Sequence, residues 1–212
     1  MIYNTKPSDT YRPDFAAIAL WISSGAKVLD LGCGDGSLLR YLRDTRGIFG
    51  YGVEIDDNNV LGCVKNGVNV IQSDLESGLS IFESDSFDYV ILSQTLQAMR
   101  HTEEIVNEML RVGKQGIVSF PNFGYWKNRM QVISGHMPIS EELPYQWFDT
   151  PNIHLCTLGD FEELCRLCGA QILERIVMNG NRQITFLPNL IGKLAFYRFE
   201  RQIKESIKKT AM

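Results

Sequence analysis

A short apolar strand running into three alternating glycines constrains this chain more than any other stretch: Val28-Leu-Asp-Leu-Gly-Cys-Gly-Asp-Gly-Ser-Leu-Leu. Gly32, Gly34 and Gly36 remove side chains where the backbone must turn sharply, and the helix predicted to follow offers unpaired N–H groups at its start. Such a strand–turn–helix admits a nucleotide-like ligand against the backbone. An acidic residue, Glu54, closes the next strand about 20 residues on, where a ribose-binding carboxylate belongs. The surrounding pattern is α/β. The strand Lys27 to Leu31, a helix from Ser37 to Arg46 with Leu38, Leu39 and Leu42 on one face, and the strand Phe49 to Ile55 make one βαβ unit. A helix from Asp57, strands at Val68–Gln72, Phe87–Leu92 and Gly116–Phe120, and a helix Thr102–Arg111 continue it, and Pro121 ends the last of these strands.

The ligand follows from how the turn departs from the dinucleotide fingerprint. The third glycine comes one position early and Ser37 takes the later slot. Asp30 and Asp35 flank the turn, where carboxylates repel a pyrophosphate and favour a ligand carrying ammonium and sulfonium groups. S-adenosylmethionine, or its product S-adenosylhomocysteine, is such a ligand. Glu54 can accept from both ribose hydroxyls, Ile55 can pack on the adenine, and Asp74, just after the third strand, can accept from the adenine amine. Cys33, Leu75 and Ser93 complete the expected cofactor set.

Residues 122–156 break the alternation with Phe123, Tyr125, Trp126, Tyr145, Trp147 and Phe148 among three prolines. An irregular insertion of this length is expected to cover a pocket or meet a partner, with a small satellite core beneath a loop as the alternative. After it come a helix Leu158–Leu167, a strand Ala170–Met178, a turn at Asn179-Gly180-Asn181 and a strand Gln183–Leu187, read as a hairpin. From 188 to 209 apolar residues recur at intervals of three and four between cations, which predicts a basic amphipathic helix. Residues from 188 onward carry +4 against −8 for the rest of the chain. Packing on its own sheet, docking on an acidic partner and lying on an anionic membrane all remain open for it.

The 212 residues suit one domain with a full hydrophobic core. A net charge of −4 argues against a nucleic-acid partner. No run reaches the roughly 20 apolar residues of a membrane span, so no integral membrane association is expected and the compartment is read as cytoplasmic. Five cysteines form no paired cluster for a metal, and Cys165 and Cys168 fall on the apolar face of a helix. His101 reads as a surface neighbour of a helix start. His154, in the insertion, is the candidate catalytic base, with Tyr145 and Trp147 at the same mouth.

The glycine-rich stretch and its acidic partners resemble the class I S-adenosylmethionine-dependent methyltransferases over about residues 26–120. That resemblance implies a Rossmann-like fold with a mostly parallel seven-stranded sheet, helices on both faces and an antiparallel C-terminal hairpin. A longer set of motifs resembles the MetW family of methionine biosynthesis proteins over residues 11 to about 190. They are Arg12-Pro-Asp, Ser93-Gln-Thr-Leu-Gln, Glu108-Met-Leu-Arg-Val-Gly, Val118-Ser-Phe-Pro-Asn-Phe-Gly and Leu143-Pro-Tyr-Gln-Trp-Phe-Asp-Thr-Pro-Asn-Ile-His-Leu-Cys-Thr. This likeness implies association with homoserine O-acyltransferase, the MetX protein, and support of its activity. The Asn/Asp-Pro-Pro-Tyr signature of amino-group methylation is replaced here by Ser93-Gln94-Thr95-Leu96. An active methyltransferase on a small molecule is the alternative.

Overall fold

The computed structural model describes residues 12–202. In chain order the elements are α1 (Pro13–Ala19), β1 (Lys27–Leu31), α2 (Ser37–Arg46), β2 (Phe49–Glu54), α3 (Asp57–Lys65), β3 (Asn69–Gln72), β4 (Phe87–Ser93), α4 (Thr102–Val112) and β5 (Gly113–Pro121). They continue with α5 (Trp126–Ile133), α6 (Leu158–Leu167), β6 (Ala170–Asn179), β7 (Arg182–Gln183), α7 (Pro188–Ile191) and β8 (Leu194–Arg201). Two 3-10 turns, Leu75–Ser77 and Leu96–Ala98, follow β3 and β4. The strands form one sheet in the order β3-β2-β1-β4-β5-β8-β6-β7, parallel from β3 to β5 and antiparallel from β8 outward. That is the expected Rossmann-like α/β architecture with eight strands instead of seven.

Apolar faces laid down at helical spacing decide which helix covers which side. Leu38, Leu39 and Leu42 of α2 join Phe15 and Ile18 of α1 on one face. Ile105, Val106 and Met109 of α4 join Phe161 and Cys165 of α6 on the other. Thr157 and Asp160 start α6 with a reciprocal capping box. No described helix is long and apolar enough to cross a membrane.

The C-terminal segment corrects the sequence reading. In place of a basic amphipathic helix over 188–209 there is one turn of helix, α7, and then β8, seated between β5 and β6. Ala195, Tyr197 and Phe199 pack into the α4/α6 core and Phe196 into the α1/α2 core. A strand buried on both faces has no polar side, and its near-continuous apolar run also satisfies a three-and-four spacing, so periodicity does not separate the two. The cations read as a helix face are tied down individually. Lys193 pairs with Glu141 and Glu142, Arg198 with Glu174, and Arg201 donates to the Leu110 carbonyl. The remainder of that predicted helix, 203–209, lies outside the described residues. The hairpin is present but short: β7 has two residues, and the long antiparallel partner of β6 is β8. The insertion is partly helical, since α5 lies within it.

If β8 closes both cores, Phe199→Ala should cost about 3–5 kcal/mol in urea unfolding, whereas exposed Phe186→Ala should change stability by less than about 0.5 kcal/mol. Equal effects would contradict the central placement of the strand.

Candidate functional site: the glycine-loop cleft

In this sheet β1 has β2 on one side and β4 on the other, so the connections diverge beyond the carboxyl ends of β1 and β4. Open α/β sheets bind ligands in that crevice. A cleft of about 260 Å³ opens there, lined by Gly32, Glu54, Ile55, Asp74, Leu75, Glu76, Thr95 and Met99 among others. Five residues singled out from sequence, Gly32, Glu54, Ile55, Asp74 and Leu75, therefore meet around one opening.

The loop conformation needs its glycines. Gly32 and Gly34 have φ of +66° and +56°. A Cβ on Gly32 would lie 2.8 Å from the Thr95 side chain, while one on Gly34 would project into open space. Gly34 is thus the point where the backbone can be approached closely, and a side chain there would fill the approach. Gly36 is the left-handed cap of α2 and is buried against Cys63 and Val68. Thr95 reaches Gly32 because Gln94, at φ +52°, turns the chain back beyond β4. That turn is held by bonds from the Gln94 N–H to the carbonyl and hydroxyl of Ser119.

Two carboxylates dominate the electrostatics. Glu54, 7% exposed, accepts from the Gly34 N–H at 2.8 Å through one oxygen and from the Ile55 and Asp56 N–H groups through the other. Asp30, 2% exposed, has its Oδ1 buried without a hydrogen-bond partner. Burial, and secondarily the charge of Glu54, push the Asp30 carboxyl up to about 8. Asp30 is not itself part of the cleft lining, and a buried acceptor without a donor beside a second carboxylate suits a cationic donor better than a phosphate.

Other predicted residues take different places. Asp35 is exposed and caps the Ser37 N–H. Asp74 accepts from the Glu76 N–H, which fixes the turn at the cleft wall. Cys33 turns its thiol inward against Gly52 and 3.6 Å from the Cys63 sulfur, and burial pushes that thiol far up, so what it can offer a ligand is backbone. Ser93 bonds Ser119 at the end of β4 and is not part of the cleft lining. His154 stands outside the lining, exposed, with its ring on the Arg100 carbonyl at 3.2 Å. Neither Tyr145 nor Trp147 reaches the cleft; both line a small hollow within the insertion itself.

Sequence reasoning missed Thr95, Met99 and Glu76. Glu76 takes the Arg100 N–H and the His101 ring and so ties the cleft wall to the start of α4; the Arg100 N–H is the main cause of its lowered carboxyl. The signal for Thr95 was its place two residues past β4, but only the fold shows it over Gly32. A wider groove of about 550 Å³, lined by Trp21, Tyr89, Glu174 and Arg198 among others, contains none of the glycine-loop residues.

The sheet order and the glycine loop together define a class I methyltransferase-type fold. Solved structures agree: a SAM-dependent methyltransferase from Thermotoga maritima matches with a TM-score of 0.66, 17% identity, and coverage of 90% of this chain and 88% of that one. The [4+2]-cyclase SpnF matches with 0.64, 16% identity, and 91% and 81% coverage. Neighbours named for such different reactions show the architecture alone. The family model Methionine biosynthesis protein MetW matches residues 12–199, and the chain belongs to the MetW family. It is also 39% identical over 211 residues to the bifunctional methionine biosynthesis protein MetXA/MetW of Rhodopirellula baltica. That alignment covers 92% of this chain and 34% of the relative, so the chain spans about a third of that protein.

The raised Asp30 carboxyl has a stability consequence with a definite sign. A proton held more tightly folded than unfolded costs stability progressively as pH rises from the ordinary value of 3.8 to about 8. Asp30→Asn, which cannot ionise, should therefore gain on the wild type between pH 4 and 8, read as a widening gap in urea midpoints. A gap independent of pH would rule out a buried, raised carboxyl.

Proposed function

We propose that this chain, a methionine biosynthesis protein by family, binds S-adenosylmethionine or S-adenosylhomocysteine in the glycine-loop cleft. In that role it associates with and supports a homoserine O-acyltransferase of the MetX type. The observation that carries the ligand assignment is the pair of buried carboxylates, Asp30 and Glu54, at a loop whose Gly34 is open to approach. Glu54 would hold the ribose, Ile55 and Leu75 would flank the adenine, Asp74 would meet the adenine amine, and Asp30 would balance the ammonium group. When bound, S-adenosylmethionine supplies an activated methyl group.

The partner assignment is supported by the relative that carries MetXA and MetW in one chain, and by the surface of the insertion. Trp147 and Phe148 are 71% and 69% exposed, with Met130, Ile133 and Tyr145 also exposed on the same insertion. An apolar surface of that kind marks an interaction site. The insertion also hangs on the cleft: the Ile153 and His154 N–H groups both donate to the Gln97 carbonyl, within the 3-10 turn whose Ala98 lines the opening beside Thr95 and Met99. A partner on the insertion and a ligand in the cleft would thus bias one shared element, and such coupling is reciprocal. The compartment this implies is the cytoplasm. The His154 ring is engaged on the Arg100 carbonyl and is not part of the cleft lining, which favours a binding role over methyl transfer with that histidine as base.

Activity of the same organism's homoserine O-acyltransferase, measured alone and with this protein at matched concentration, should rise, and should respond to S-adenosylmethionine. No change, with no co-elution of the two proteins, would leave independent methyl transfer as the better reading. Glu54→Ala should weaken S-adenosylhomocysteine binding by about 1–3 kcal/mol in calorimetry, and Gly34→Arg should abolish it. Unaltered titrations for both would refute the site.

A further inference from the structure

Glu54 ends β2 and Asp30 lies in the adjacent strand β1, near enough for the charge of Glu54 to act on it, but their surroundings differ. Three backbone N–H groups, those of Gly34, Ile55 and Asp56, converge on Glu54. These donors satisfy both of its oxygens. Asp30 receives nothing at Oδ1. The groups facing it are Glu54 from β2, Cys33 from the loop and Cys63 from α3, each neutral or negative. Its strand neighbours are Gly52 on β2 and Ile91 on β4, which bring no charge. A buried carboxyl whose inner oxygen has no donor, with a second carboxylate nearby, holds its proton at neutral pH.

We infer that Asp30 is the protonated member of this pair in the ligand-free protein, and that entry of a ligand's ammonium group expels that proton to solvent, making binding proton-linked. The inference rests on the ligand reading proposed above and adds its regulation by pH. The burial-driven rise of the Asp30 carboxyl to about 8 accords with it. The balance is simple: the carboxylic acid loses one proton to buffer, the carboxylate remains, and the arriving ammonium cation replaces the lost positive charge. The ligand-bound form then carries one proton fewer, so affinity rises with pH, by at most about tenfold per unit, and levels off near 8.

The test is calorimetric titration of S-adenosylhomocysteine into the whole protein at pH 7 and pH 9, each in buffers of differing ionisation heat. Close to one proton should be released per ligand at pH 7, and the release should shrink as the pH passes 8. Adenosine, which lacks the ammonium group, should bind without release at pH 7, and Asp30→Asn should bind S-adenosylhomocysteine without release at that pH. Binding at pH 7 without proton release overturns the inference alone, as does release of equal size with adenosine or in the Asn variant. No binding of S-adenosylhomocysteine at any pH overturns the ligand reading and the inference with it. Should Asp30→Asn fail to fold, difference infrared spectra of the wild type serve instead. Ligand added at pH 7 should remove a protonated-carboxyl C=O band, and persistence of that band would refute the proposal.

Discussion

On β8 both hydrophobic cores close. Ala195, Tyr197 and Phe199 fill one face of the sheet and Phe196 the other, all fully buried. The Phe199 ring lies against Gly116 of β5, where no side chain could be accommodated. A strand paired on both edges and buried on both faces contributes ladder bonds and apolar burial together. It also covers the edge that β5 would otherwise expose. Because β8 is antiparallel to β5, its start lies beside the end of β5. Lys193 there reaches Glu141 and Glu142, and Asn122 binds the carbonyls of Asn189 and Gly192. The C-terminal strand thereby pins the insertion that borders the cleft.

The cleft itself is a compromise between stability and binding. Asp30 in β1 and Glu54 at the end of β2 are held out of water beside a loop that three left-handed glycines shape, and the cost of burying a carboxylate is met for Glu54 by backbone donors. Asp30 Oδ1 has no such donor. An open acceptor of this kind is a liability in a structural protein and an asset in one that must recognise a small cation-bearing molecule. The reaction is not written into that arrangement, since the same fold serves a methyltransferase and a cyclase among its neighbours. The aromatic insertion is attached to the turn after β4 through the Gln97 carbonyl.

The parallel half of the fold was legible because its signals are local. Ser37–Arg46 and Lys27–Leu31 were delimited by glycine, a leucine stripe and an apolar run, and the structure has the same bounds. The cleft was legible in part for the same reason: Gly32, Glu54, Ile55, Asp74 and Leu75 sit at strand ends, and strand ends of a parallel sheet meet at one edge. Thr95, Met99 and Glu76 were not legible, because their position depends on a reversed turn at Gln94 and on bonds to Arg100 and His101 that no spacing encodes. Cys33 shows the converse: its place in the motif is local, but the direction of its thiol was decided by the absence of a side chain at Gly52 on the neighbouring strand.

By itself the amino-acid order determined the α/β class, the glycine turn with its flanking carboxylates, and membership of a family through motifs spread along the chain. Each of these depends on neighbours within a few residues or on strand ends that must coincide. Only the tertiary structure decided that the C-terminal apolar run is the strand β8 instead of a helix. It also left Asp30 without a donor while Glu54 has three, and placed His154 on the Arg100 carbonyl, outside the cleft. The place of β8 and of His154 turns on partners far along the chain, and Gly34 reaches Glu54 from 20 residues away, contacts that override local periodicity when they bury both faces of a strand.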